Sequence, residues 1–193
     1  MRNKTYAPWE HYPKTLCFHE AQNPMIVLED FFNADSVKGH IKQLIKWRYY
    51  VINNKHYNDK RYGPGFLLDI YELNLKILEA MFLLLRQYKN ESFEQIKPTE
   101  QQLGEEKKKW NYYPKNLSLK EQLKPYNVVK KIFKKIKPQE YRDHLREWVH
   151  VALYIKTDKE SIQASDVVEI YENLLKLYSA TWLIYQRESS SKS

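Results

Sequence analysis

The stretch DIYELNLKILEAMFLLLR, Asp69 to Arg86, returns 100 residues later as EIYENLLKLYSATWLIYQ, Glu169 to Gln186. Ile70, Tyr71, Glu72, Leu75, Lys76, Ala80 and Leu83 recur unchanged, and Phe82 is matched by Trp182. In the first copy Asp69, Glu72, Lys76 and Glu79 form one narrow polar stripe. Ile77 to Leu85 is apolar on nearly every side. A helix with that pattern is buried, because no face of it suits water. The expectation is that the two copies lie at the centre, packed on each other about a pseudo-twofold axis or exposed as a homodimer seam.

Working outward, the repeat is longer than this helix. Trp9, Tyr12, Pro13, Lys14, Leu16, Glu20, Pro24, Val27 and Phe32 reappear 101 positions on as Trp110, Tyr113, Pro114, Lys115, Leu117, Glu121, Pro125, Val128 and Phe133. The register holds through Leu44/Leu145 and Trp47/Trp148, then loses one residue. The reading is a tandem duplication of a unit of about 80 residues, large enough for a domain or half-domain. The first repeat spans 9–90 and the second 110–188. Residues 91–109 form a polar linker with at most a short helix, and the two repeats share one core or form two subdomains.

Local signals make each unit helical. Ser118 and Glu121 have the spacing of a capping box, in which serine takes a first-turn amide and glutamate reaches back. Cys17 holds the serine position in the first copy, with Glu20 retained, so Cys17 reads as a decayed cap and not a nucleophile. Pro24 and Pro125 suit the first position of a second helix. A third helix is expected over 35–52 and 138–155, with Val37, Ile41, Leu44, Ile45, Arg48 and Ile52 as its buried stripe. In the second copy that stripe is Tyr141, Leu145, Trp148, Val149 and Ala152. Polar loops follow at 53–65 and 157–165, and Ser165 is the expected cap of the last helix. The fold class is all-α, a pseudo-twofold helical bundle.

Composition narrows the function classes. The chain has 193 residues, 42% hydrophobic and 29% charged, in the range of soluble globular proteins. Four glycines and no GxGxxG or GxxxxGK[ST] string give no glycine-rich phosphate cradle. One cysteine excludes an internal disulfide and a cysteine zinc site. The first residues lack the apolar core of a secretory signal, and charges interrupt the greasiest segment too often for a lipid-exposed span. These readings predict a cytoplasmic protein with no membrane association. Net charge is +8, spread as net +4 over residues 1–90 and net +5 over 110–193. A basic balance admits nucleic acid or an acidic protein as partner.

Few residues suggest chemistry. Asp69 and Glu72 with Glu169 and Glu172 have the i, i+3 spacing of helix-bundle di-metal sites, but no Glu-x-x-His accompanies them. Glu72–Lys76 and Glu172–Lys176 are i, i+4 ion-pair spacings, which favours a solvated stripe. His40 aligns with Tyr141, so it reads as a satisfied boundary histidine. Arg146 and His150 have three residues between them, short of the four to six in the motif of the HEPN ribonucleases, and the other copy has Ile45 and Tyr49 there. No catalytic, cofactor-binding or metal-binding residue is assigned, and no cofactor is expected. The remaining candidate is a positive surface: Lys130, Lys131, Lys134, Lys135 and Lys137, with Arg142 and Arg146 beyond them. On the matching helix of the first copy, Glu29 and Asp30 stand where Lys130 and Lys131 do. A face whose charge inverts between copies is solvent or partner surface.

The W-x-x-Y-P-K-x-L-x-x-x-E-x-x-x-P run, the Leu-x-x-Trp helix and the Tyr-Glu-rich last helix resemble small helical proteins of unknown function from Bacteroidota, best over Trp110 to Gln186. The resemblance implies a bacterial setting and brings no activity with it. The function expected is a non-enzymatic interaction or regulatory module with a protein partner or a second copy of itself. One alternative is a nucleic-acid-binding protein using the lysine-rich face. The other is an enzyme with a site between the repeats.

Overall fold

The computed structural model describes residues 13–90, 98–154 and 162–190, and it is all-helical over them. Trp9 and Tyr12, linker residues 91–97, most of the expected loop 157–165 and the last three residues lie outside the described residues. The helices run α1 Phe18–Gln22, α2 Pro24–Ala34, α3 Val37–Ile52, α4 Gly65–Asn90, α5 Glu100–Lys109, α6 Leu119–Leu123, α7 Pro125–Lys135, α8 Pro138–Leu153 and α9 Ala164–Ser190. The bounds of α6, α7 and α8 are those of α1, α2 and α3 displaced by 101 residues at both ends.

The helix starts follow their local chemistry. Ser118 Oγ accepts the Glu121 amide, while Glu121 Oε2 accepts the Ser118 amide at 2.9 Å. Glu20 Oε2 accepts the Cys17 amide at 2.7 Å, so the reciprocal half of the box persists without the serine. Pro24, Pro125 and Pro138 each occupy the first turn, where a missing N–H is no loss. Ser36 caps α3 by accepting the Gly39 amide at 3.1 Å. Thr99 and Gln102 form a capping box on α5. That helix is docked: Leu103 is buried, and Arg187 of α9 makes a two-pronged pair with Glu106, both distances 2.8 Å. Helix α9 begins at Ala164, so Ser165 lies inside its first turn and not at its cap.

The packing crosses the two halves of the chain. Within each half α2 lies on α4 and α7 lies on α9. The third helices do the opposite: α3 packs on α8 and α9, and α8 on α3 and α4. Where α3 and α8 cross, the fully buried Trp47 and Trp148 meet edge to face, centroids 5.4 Å apart. The long helices α4 and α9 are buried as well, but they pack on α2, α3, α7 and α8 more than on each other. The long helices still touch each other, through a hydrogen bond from Tyr178 to Asn74. Phe32 against Trp182 and Phe133 against Phe82 repeat one edge-to-face contact between α2 and α9 and between α7 and α4. The buried side chains of both halves form one continuous cluster.

The buried face of α3 differs from the expected stripe. Val37, His40, Leu44, Trp47 and Val51 face inward, while Ile45 and Ile52 are exposed. The spacing 3-4-3-4 is that of a helix seam, and α8 repeats it with Pro138, Tyr141, Leu145, Trp148 and Ala152. Hydrophobicity alone pointed to the isoleucines. Packing favours the larger tryptophan and the histidine that can donate to a carbonyl.

Candidate functional site

The lysine-rich face is real in part. Lys130, Lys131, Lys134 and Lys135 of α7 and Lys137 after it are all exposed, while Tyr126, Val128, Val129, Ile132 and Phe133 of the same helix are buried. Positions 130, 131 and 134 share one helical side, one turn apart. None of these three has a carboxylate within ion-pair distance among the described residues. Lys135 pairs with Glu169 at 2.7 Å. Arg146 is largely exposed and pairs with Asp143 at 3.1 Å. Arg142 does not join the face: its guanidinium turns inward onto the buried carboxylate of Glu79, with only 13% of its side chain exposed. The reason is on α4. Glu79 needs a countercharge to be buried, and Arg142 of α8 supplies it.

Glu79 is buried, and protein groups surround its carboxylate. Its carboxylate accepts the amides of Lys14, Thr15 and Leu16 at 3.1, 2.9 and 3.2 Å, in addition to Arg142. Sequence reading placed it on a solvated stripe. Its burial shows only in three dimensions, because its partners lie about 65 residues away on either side in the chain. The other stripe members behave differently from the expected i, i+4 pairs. Lys76 reaches Glu20 at 2.8 Å, and Lys176 reaches Glu121 at 3.2 Å, so the same ion pair fastens α1 to α4 and α6 to α9. Burial works to raise the Glu20 carboxyl's pKa, but Lys76 and the Cys17 amide together hold it below its usual value. Glu121 is held low in the same way by Ser118 and Lys176 against the effect of burial. Asp69 and Glu72 are exposed, and no group of three or more metal-ligating side chains gathers among the described residues.

A second cluster went unnoticed in the sequence. His40 is buried, stacked on Phe31 at 3.8 Å between centroids, and its Nε2–H donates to the Phe31 carbonyl at 2.6 Å. Burial pulls its pKa down, opposed by the Phe31 carbonyl and by Asp35, so the ring is held neutral. Beside it, the fully buried Tyr178 hydroxyl donates to Asn74 Oδ1 at 2.5 Å, and Asn74 Nδ2 donates to the Ile70 carbonyl at 2.8 Å. Burial pushes the Tyr178 phenol's pKa up, which keeps it a donor. These groups, with Ala34, Asp35, Gln43, Phe66, Ile70 and Leu73, line a cavity of about 150 Å³ between α2, α3, α4 and α9. The signal available in the sequence was the substitution pattern. Residues 40, 74 and 178 are His, Asn and Tyr, while the aligned residues Tyr141, Leu174 and Leu78 are less polar or apolar.

His150 lies tilted against the ring of Tyr154, 4.3 Å between centroids. No described helix is long and apolar enough to cross a membrane. Compared with protein-family models, with curated proteins and with solved structures, the chain finds no match, so its helix arrangement and side chains are what any functional reading rests on.

Proposed function

We propose that the chain is a tandem duplication whose two units fold as one pseudo-twofold bundle, and that it serves as a non-enzymatic binding module. In this reading it presents the α7 lysines to an acidic partner protein. Matching helix bounds, the repeated Lys–Glu pairs and the crossed packing of α3 and α8 support the duplication. The observation that carries the function is the divergence of one face. Lys130, Lys131 and Lys134 stand exposed where the first unit carries Glu29, Asp30 and Asn33, all exposed too. The buried sides of the two helices are alike, so the fold tolerates either charge there and selection on the outer side concerns what it meets.

Acidic protein suits this face better than nucleic acid. Its charges are lysines, which act as point charges and lack the planar fork that reads base edges. The aromatics of α7, Tyr126 and Phe133, are buried and offer no platform for stacking bases. The test is binding of the full chain to poly-glutamate and to a DNA duplex across a salt series, with Lys130→Glu/Lys131→Glu/Lys134→Glu as control. The account expects salt-sensitive binding to poly-glutamate that the triple variant loses. Tighter binding to DNA would transfer the face to the nucleic-acid reading. Equal binding by wild type and variant would remove the face from both.

A further inference from the structure

We propose that the cavity between α2, α3, α4 and α9 is a binding site for a small single-ring molecule bearing an amino group, its ring against Phe66, Ile70 and Leu73 and its N–H donors toward Gln43 Oε1 and the Asp35 carboxylate. This site is separate from the α7 lysines and does not depend on their role.

Size sets the first limit. A volume of about 150 Å³ is that of an engineered apolar cavity that accepts benzene, so one ring with a short substituent fits and two fused rings do not. The exposed Ala34 and Asp35 among its lining residues give it an opening to solvent at the α2–α3 corner.

Hydrogen-bond accounting sets the second limit. Asn74 and Tyr178 satisfy each other, and Asn74 also holds the Ile70 carbonyl. His40 uses its one N–H on Phe31. The one lining atom that is buried with no protein partner is an acceptor, Gln43 Oε1, and Asp35, whose Oδ1 is taken by Ser36, brings its other carboxylate oxygen to the rim. A buried acceptor without a donor costs about 1–3 kcal/mol, so a donor-bearing occupant gains from entering. No lysine or arginine lines the cavity, which leaves nothing to neutralise an anion. The complement is therefore a cation or neutral amine and not a carboxylate.

The polar set of the cavity is not repeated at the aligned positions. Positions 35, 40, 43, 74 and 178 carry Asp, His, Gln, Asn and Tyr. Their aligned counterparts are Ile136, Tyr141, His144, Leu174 and Leu78. The aligned corner of α7 and α9 also forms a pocket, but Lys135, Glu169 and Asn173 line it, so the polar set differs. Gly39 belongs to the same set, because a Cβ there would collide with the Asp35 carboxylate, and its counterpart beside Ile136 is Glu140. Buried polar groups are unfavourable relative to leucine unless paired, and Asn74 and Tyr178 stand where the aligned positions carry Leu174 and Leu78.

The experiment is amide-detected NMR titration of the full chain with benzylamine, benzoate and toluene, which share a ring and differ in charge and donors. Benzylamine is expected to bind saturably, to shift the side-chain amides of Gln43 and Asn74, and to bind at least about tenfold more tightly than benzoate. Gln43→Leu, at a half-buried position, should weaken benzylamine about tenfold and leave toluene unchanged. Leu73→Trp should fill the space and abolish both, with thermal melting used to verify that the variant is folded. Equal binding of benzylamine and benzoate, unsaturable benzylamine shifts, or an unaltered affinity in a folded Leu73→Trp protein would each overturn the proposal.

Discussion

Glu79 and Ser179 occupy matching places in α4 and α9 and hold matching loops by different chemistry. In the first half a buried carboxylate gathers the amides of residues 14–16 and is neutralised by Arg142, which comes from α8 in the other half. In the second half Ser179 Oγ donates to Asn116 Oδ1 at 2.7 Å, and Asn116 Nδ2 donates to the Leu175 carbonyl. Gln122 Nε2 holds the Pro114 and Leu117 carbonyls, and Trp182 Nε1 holds that of Tyr112. One loop is tied by charge across the halves; the other is tied by neutral bonds within its own half. The same backbone course thus has two solutions, and their responses to substitution must differ. Removing one member of a buried ion pair strands the other, whereas removing one neutral bond leaves several in place.

The largest expected effect is Glu79→Ala, which should destabilise by about 3–5 kcal/mol in urea unfolding, because Arg142 and three amides lose their acceptor. Ser179→Ala should cost about 1 kcal/mol. Equal losses would break the comparison. Glu79→Ser with Arg142→Ile imports the residues aligned with them, Ser179 and Ile41, and should cost less than Glu79→Ala alone. A double variant less stable than the single would show that the amides, not the stranded arginine, dominate.

Where the halves agree, the effects should agree. Lys76→Met and Lys176→Met each remove a half-exposed pair and should each cost no more than about 1 kcal/mol, with similar values. A loss in one several times that in the other would mean that the two Lys–Glu pairs are not equivalent. The smallest effect concerns pH. His40 has a folded pKa below its ordinary 6.5, so its contribution is fully present above about 6.5 and is lost as pH falls through the folded value. His40→Tyr, the residue of the second half, should flatten the fall in stability below pH 6.5. An unchanged slope would mean that other groups carry it.

Much of this fold could be read from residue order. The 101-residue register marked where helices begin and end, because Pro24/Pro125 and Glu20/Glu121 act locally on the turn that contains them. The face of α3 could not be read from hydrophobicity: His40 and Trp47 bury their rings while Ile45 and Ile52 remain exposed. The aligned residues of α8 were the better guide, since Tyr141, Leu145, Trp148 and Ala152 mark the seam there. The polar sites were the least legible. Glu79 and Arg142 meet across 63 residues, and Asn74 and Tyr178 across 104, so no local pattern announces either pair. The lysines of α7 were legible as exposed because one helix supplies both the buried and the free face. Arg142 was misplaced with them because its destination lies on another helix.

The central claim is that α3 and α8 exchange across the halves, so that neither half encloses a core of its own. Its most direct test is to produce residues 1–97 and 98–193 as separate chains and examine them alone and mixed, by near-ultraviolet circular dichroism and sedimentation. The account predicts that neither fragment is a folded monomer and that mixing restores the native signal in a one-to-one complex. A stable, natively packed monomer of either fragment would contradict it.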